Sequence, residues 1–142
     1  MELWYNTYMT VQLHHVARLV TAYPALAPQR DAIAEAVRAL VSCFRAGGKL
    51  LVCGNGGSAA DAEHIVGELG KGFRKRRPLP EDVRSRIQAQ LPEGGRELAA
   101  ALQGGLPAIS LAAQTSLYTA VANDVEPDYA YAQQVVAYGR PS

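Results

Sequence analysis

The sequence predicts an α/β protein in which short parallel strands alternate with helices, with two further helices at the N-terminal end. Two observations carry this. An apolar run, Lys49-Leu50-Leu51-Val52-Cys53, leads through a glycine-rich turn into a helix. A second run, Leu106-Pro107-Ala108-Ile109-Ser110-Leu111, leads into another. Strand, tight turn and helix in that order open a βαβ unit. Short continuous apolar runs mark strands covered on both faces.

The bulk numbers agree with a single globular domain. The chain has 142 residues, 49% of them hydrophobic and 19% charged, which separates it from disordered chains. Fourteen basic against 13 acidic residues leave a net charge of +1. No global attraction to nucleic acid or to a membrane surface follows. Cys43 and Cys53 both sit in apolar segments and read as buried thiols of a reducing compartment. Two cysteines without suitably spaced histidines make no structural zinc site. No apolar run reaches the ~20 residues that cross a bilayer, and Met1-Glu2-Leu3-Trp4 lacks a signal-peptide layout. A cytoplasmic protein is expected.

Along the chain, Trp4, Tyr8, Val11, His15 and Leu19 recur at helical spacing, predicting a helix to about Tyr23. His15 on that stripe reads as a packed or interface residue. Pro24 and Pro28 break the chain. A second helix is expected from about Gln29 to Arg45, with Ile33, Val37, Leu40, Val41 and Phe44 on one face and Gly47-Gly48 as its stop. Residues 1–46 therefore form a helical segment whose apolar stripes can pack on the domain or on a partner chain. After the first strand, Ser58 opens the next helix, which runs to about Leu69. Lys71, Arg74, Lys75, Arg76 and Arg77 then form a basic run, read as a solvated surface. Residues 78–105 look helical and polar, with a break at Pro92-Glu93-Gly94-Gly95. After the second strand, Thr115 or Ser116 caps a helix reaching Asn123-Asp124, and Pro127 begins a last helix to about Tyr138.

The chemistry concentrates at Gly54-Asn55-Gly56-Gly57-Ser58. A turn between a strand and a helix N-terminus presents backbone N–H groups and the positive end of the helix dipole. It suits a phosphate, a carboxylate or a sugar oxygen, and Asn55 and Ser58 add an amide and a hydroxyl. Gly54, Gly56 and Ala59 fit a dinucleotide fingerprint. That fingerprint needs an acidic residue about 20 positions on, where this chain has Arg74-Lys75-Arg76-Arg77. A P-loop needs a Gly-Lys-Ser/Thr tripeptide that is absent. A sugar-phosphate turn, or a turn made only for tight packing, remains. On the following helix Asp61, His64 and Glu68 share a face. His64 and Glu68 can meet as an acid–base pair or as half of a zinc site, or form an ordinary surface pair.

Gly54-Asn55-Gly56-Gly57-Ser58-Ala59-Ala60-Asp61-Ala62-Glu63-His64, followed by Glu68-Leu69, resembles the signature of the phosphoheptose isomerase branch of sugar isomerase (SIS) proteins. Arg77-Pro78, Leu106–Leu111, Asn123-Asp124 and Tyr138-Gly139-Arg140-Pro141 match as well, and about 79–105 resembles an insertion. The resemblance implies a three-layer Rossmann-like fold, of which residues 47–142 hold the N-terminal half with about two parallel strands. It implies N-terminal helices that join subunits into a homo-oligomer, a tetramer in the family. The implied reaction converts sedoheptulose 7-phosphate to an aldose heptose 7-phosphate, with Glu68 as the base. Asn55, Gly56, Gly57, Ser58 and Asp124 would contact the substrate, and His64 with Glu68 would hold zinc in some members. The chain departs from the family in ending before a Ser/Thr-rich phosphate loop and before an acid histidine and its glutamine partner. It also carries Gly72 where an arginine is frequent. A truncated product that folds poorly alone and associates through apolar surface is expected. The alternative is a non-catalytic module that senses a phosphosugar or binds a protein partner. Direct nucleic-acid or membrane binding is not expected.

Overall fold

A computed structural model describes residues 14–140 of the chain. The chain divides into two compact units, Met1–Gly48 and Lys49–Ser142.

In the first unit, helix α1 covers residues 14–22, a 3-10 turn spans Pro24–Gln29, and α2 spans Arg30–Arg45. The prolines act as expected: Pro24 starts the turn and Pro28 lies inside it. Gly47, at φ 72°, ends α2, and the Gly48 amide donates to the Cys43 carbonyl at 2.8 Å. Val16 and Ala34 are buried, whereas Ile33, Val37, Val41 and Phe44 are half-buried and Leu40 is exposed. The stripe of α2 is real but only partly covered. Trp4, Tyr8 and Val11 lie outside the described residues. His15 is exposed rather than packed, its ring edge-on to His14 at 5.8 Å.

In the second unit, strand β1 (Leu50–Val52) pairs in parallel with β2 (Ala108–Ser110), Leu51 opposite Ile109. Between them run α3 (Gly57–Gly70), α4 (Glu81–Gln90) and α5 (Gly95–Ala101). After β2 come α6 (Thr115–Asp124), a 3-10 turn at Pro127–Tyr129 and α7 (Ala130–Tyr138). This is the expected α/β order, with two strands among the described residues. Apart from the buried Ser110, the strands are half-buried rather than covered on both faces. With two strands among the described residues, each strand has one unpaired edge, which adds to its exposure. The core consists largely of small residues, Ala62, Ala99 and Ala130, with Leu111, Val121 and Gln134.

The segment 79–105 is a closed excursion. Pro78 bridges Gln103 in antiparallel fashion, and the Gly104 amide donates to the Arg77 carbonyl at 2.7 Å. The Arg77 guanidinium donates to the Gly104 and Leu69 carbonyls at 2.8 and 2.5 Å, and Arg76 donates to the Ala100 carbonyl. The basic run therefore splits. Lys71, Arg74 and Lys75 are exposed, as a solvated surface requires, but Arg76 and Arg77 satisfy carbonyls at the ends of α5 and α3. Cations suit helix C-termini for that reason. Lys49 does the same at the other edge, donating from Nζ to the Tyr138 carbonyl at 3.0 Å.

Candidate functional site: the turn after the first strand

Two backbone constraints shape the glycine turn. The Ser58 amide donates to the Asn55 carbonyl at 3.1 Å, closing a four-residue turn. Gly56 sits at φ 55°, ψ −123° as the first central residue, the II′ geometry that calls for glycine. Gly54 is needed for a different reason: a Cβ there would lie 2.5 Å from the Ser58 carbonyl oxygen. Helix α3 thus begins at Gly57 with Gly56 as its N-cap, and no side chain caps it. Ser58 is exposed one residue inside the helix rather than opening it. The amides of Ala59 and Ala60 bond to the Gly56 carbonyl. Those of Gly56 and Gly57 carry no such bond among the described residues, and so remain to meet a ligand.

The turn opens onto a cavity of about 200 Å³ lined by Gly54, Asn55, Gly56 and Ala59, by Ala112, Thr115 and Tyr118 after β2, and by Tyr131 of α7. It lies beyond the carboxyl ends of two parallel strands, where α/β sheets bind ligands. Its lining carries no charged side chain. Tyr131 reaches back to the turn, its phenol oxygen 2.7 Å from the Gly54 carbonyl oxygen and 2.9 Å from Asn55 Oδ1. The Tyr118 ring packs edge-on against it, centroids 5.4 Å apart. Burial, the Tyr118 phenol and the Cys53 thiol push the Tyr131 pKa above its ordinary value, while the bond to Gly54 pulls it down. Neither tyrosine is marked by the sequence motif. Cys53 itself is exposed and Cys43 half-buried. Cys53 was expected to be buried, but it follows the last residue of β1, where the chain leaves the sheet.

The remaining candidate residues lie apart from this cavity. Asp61, His64 and Glu68 are exposed on one face of α3, while Ala62 on another face is buried. Glu68 is nine positions beyond Ala59, about 14 Å along the helix at 1.5 Å per residue. His64 Nε2 and Glu68 Oε1 are 3.8 Å apart, with side chains 78% and 46% exposed. They meet, as their spacing requires, but beyond hydrogen-bond distance. Structural zinc takes four ligands, and among the described residues no group of three His, Cys, Asp or Glu converges. Among the described residues no third such side chain joins the pair. Asp124 is exposed at the end of α6, accepting a 2.7 Å hydrogen bond from Asn123 Nδ2. Gln114 precedes α6 as its N-cap, so neither Thr115 nor Ser116 caps it. No helix among the described residues is long and apolar enough to cross a membrane.

The family model described as SIS domain matches residues 13–97. The chain is similar to the phosphoheptose isomerase of Roseiflexus sp. (strain RS-1), 44% identical over 115 residues, or 81% of this chain and 44% of that protein. It is 34% identical over 134 residues to the phosphoheptose isomerase of Methylococcus capsulatus, covering 94% of this chain and 55% of that protein. A solved phosphoheptose isomerase from Neisseria gonorrhoeae shares the fold with a TM-score of 0.54 and 24% identity, over 99% of this chain and 56% of that one. The chain spans about half the length of the curated relatives it matches.

Proposed function

This chain belongs to the SIS domain family, and we propose that it binds a phosphorylated sugar at the turn Asn55–Ser58, as part of a ketose–aldose isomerase. The observation that carries the reading is the pair of unbonded amides at Gly56 and Gly57, at the N-terminus of α3 beside Asn55. The uncharged lining favours sugar hydroxyls over a phosphate dianion. The volume of about 200 Å³, against ~300–1,000 Å³ for whole-ligand pockets, suits one end of such a molecule. Sedoheptulose 7-phosphate is the proposed substrate, on the strength of the phosphoheptose isomerases that the chain resembles.

In this reading Glu68 is the base. It removes a proton from C1 of the ketose while the C2 oxygen takes up a proton, giving a cis-enediol; the C1 hydroxyl then gives up its proton as the first returns to C2, yielding the aldose. Such transfer needs the carboxylate within hydrogen-bond reach of the proton. Glu68 stands apart from the cavity of its own chain, so the proposal asks for a second copy to bring a turn and a carboxylate together. His64 lies beside Glu68 to orient or relay the proton. Asp124 is the further proposed substrate contact. The same separation supports a second reading, a phosphosugar-binding module without catalysis, because the turn can hold a ligand without Glu68.

Turnover of sedoheptulose 7-phosphate by the purified chain, beside Glu68→Gln, separates the two. The isomerase reading predicts turnover in the wild type and at least a 100-fold loss in the variant, at the scale of general-base catalysis (~10²–10⁴-fold). Absence of turnover in folded wild-type protein that still binds the sugar phosphate leaves the binding module.

A further inference from the structure

We infer that Tyr131 is a positioning residue that fixes Asn55 and the glycine turn in their ligand-ready geometry; the inference rests on the sugar-binding reading of that turn. Asn55 is exposed, and an exposed amide on a turn samples several rotamers that binding must freeze. The Tyr131 phenol, 76 positions away in sequence, sits 2.9 Å from Asn55 Oδ1 and 2.7 Å from the Gly54 carbonyl oxygen. A phenol has one proton to donate. With that proton on the Gly54 carbonyl, an Asn55 amide turned to present Nδ2 donates back to the phenol oxygen, and both groups are satisfied.

Three further features hold the phenol in place. The edge-on Tyr118 ring, inclined at 65°, limits how the Tyr131 ring can turn. Both tyrosines line the cavity with Asn55. The phenol is protonated, and therefore a donor, at neutral pH, and its raised pKa takes it further from ionisation. Gly54 thus lies close against the Ser58 backbone, and its carbonyl accepts from the Tyr131 phenol of α7. Preorganisation of this kind strengthens binding by removing an ordering cost beforehand.

Nitrogen-15 NMR of the full chain, with and without sedoheptulose 7-phosphate, tests this on the wild type, Tyr131→Phe, Asn55→Ala, the double variant and Tyr129→Phe as an exposed control. Without ligand, Tyr131→Phe is expected to move the Asn55 side-chain amide and the Gly54–Gly56 backbone signals, leaving α4 and α5 unchanged. With ligand, its Kd is expected to rise roughly 2- to 12-fold, the range one hydrogen bond supplies, and Tyr129→Phe to match the wild type. In the Asn55→Ala background the Tyr131→Phe effect is expected to shrink, because the two groups act as one. Unmoved Asn55 signals, an unchanged Kd, or full additivity with Asn55→Ala each overturn the inference. Should no form bind the sugar phosphate, the functional reading fails by itself. The ligand-free spectra still decide whether Tyr131 fixes Asn55, unmoved signals overturning it.

Discussion

The two turns that follow the two strands leave neighbouring parallel strands at the same end and line the same cavity, yet they are built differently. The first, from β1 into α3, offers backbone: a glycine at φ 55°, a second glycine packed against Ser58, and two unbonded amides. The second, from β2 into α6, contains no glycine; with the first turn of α6 it contributes side chains, Ala112, Thr115 and Tyr118. Parallel topology decides where a ligand goes, because both turns must emerge at the strands' carboxyl ends. Residue chemistry decides what each turn offers there. A turn that works through its backbone tolerates almost no substitution, whereas one that works through side chains can change them one at a time.

That contrast can be broken by mutation. The largest effect is expected at Gly54→Ala. The added Cβ meets backbone rather than a movable side chain, so a destabilisation of about 3 kcal/mol is expected, at the upper end of overpacking costs, measured by urea unfolding. Gly56→Ala forces a non-glycine residue into a glycine conformation and is expected to cost about 2 kcal/mol. After the second turn, at the start of α6, Thr115→Ala at an exposed position should change stability by less than ~0.5 kcal/mol while weakening ligand binding. A Thr115→Ala cost equal to that of Gly54→Ala would erase the distinction.

The smallest effect is alkaline. The folded state raises the Tyr131 pKa, chiefly by burial, so it favours the neutral phenol. The stability this supplies is complete below the unfolded value near 10 and is lost as pH rises through the folded value. Tyr131→Phe should therefore flatten the decline of stability above about pH 10, seen in thermal melts across that window.

Much of this architecture is legible in the sequence because it rests on local signals. Apolar runs ending in glycine or leading into helical periodicity place β1, α3 and β2, and prolines mark the turns before α2 and α7. Cap positions shift by one or two residues because Gly56 and Gln114 take positions expected of Ser58 and of Thr115 or Ser116. Periodicity puts Asp61, His64 and Glu68 on one face but cannot say which face meets the cavity. Packing turns Ala62 inward and leaves Glu68 outside. Tyr131 and Arg77 escape sequence reasoning for one shared reason: their partners are brought close only by the fold, across 77 positions to Gly54 and 27 to Gly104. No local pattern separates a tyrosine that holds a turn from one on a surface, or an arginine that satisfies carbonyls from a solvated charge.

A sugar phosphate is proposed to bind at the turn after β1. Nitrogen-15 chemical-shift mapping during titration of the wild-type chain with sedoheptulose 7-phosphate tests it most directly. The Gly56 and Gly57 amides, with the Asn55 side chain, are expected to move first and furthest. Saturable shifts centred on Lys71, Arg74 and Lys75 with residues 54–58 unmoved would contradict it and place the ligand on the exposed basic run.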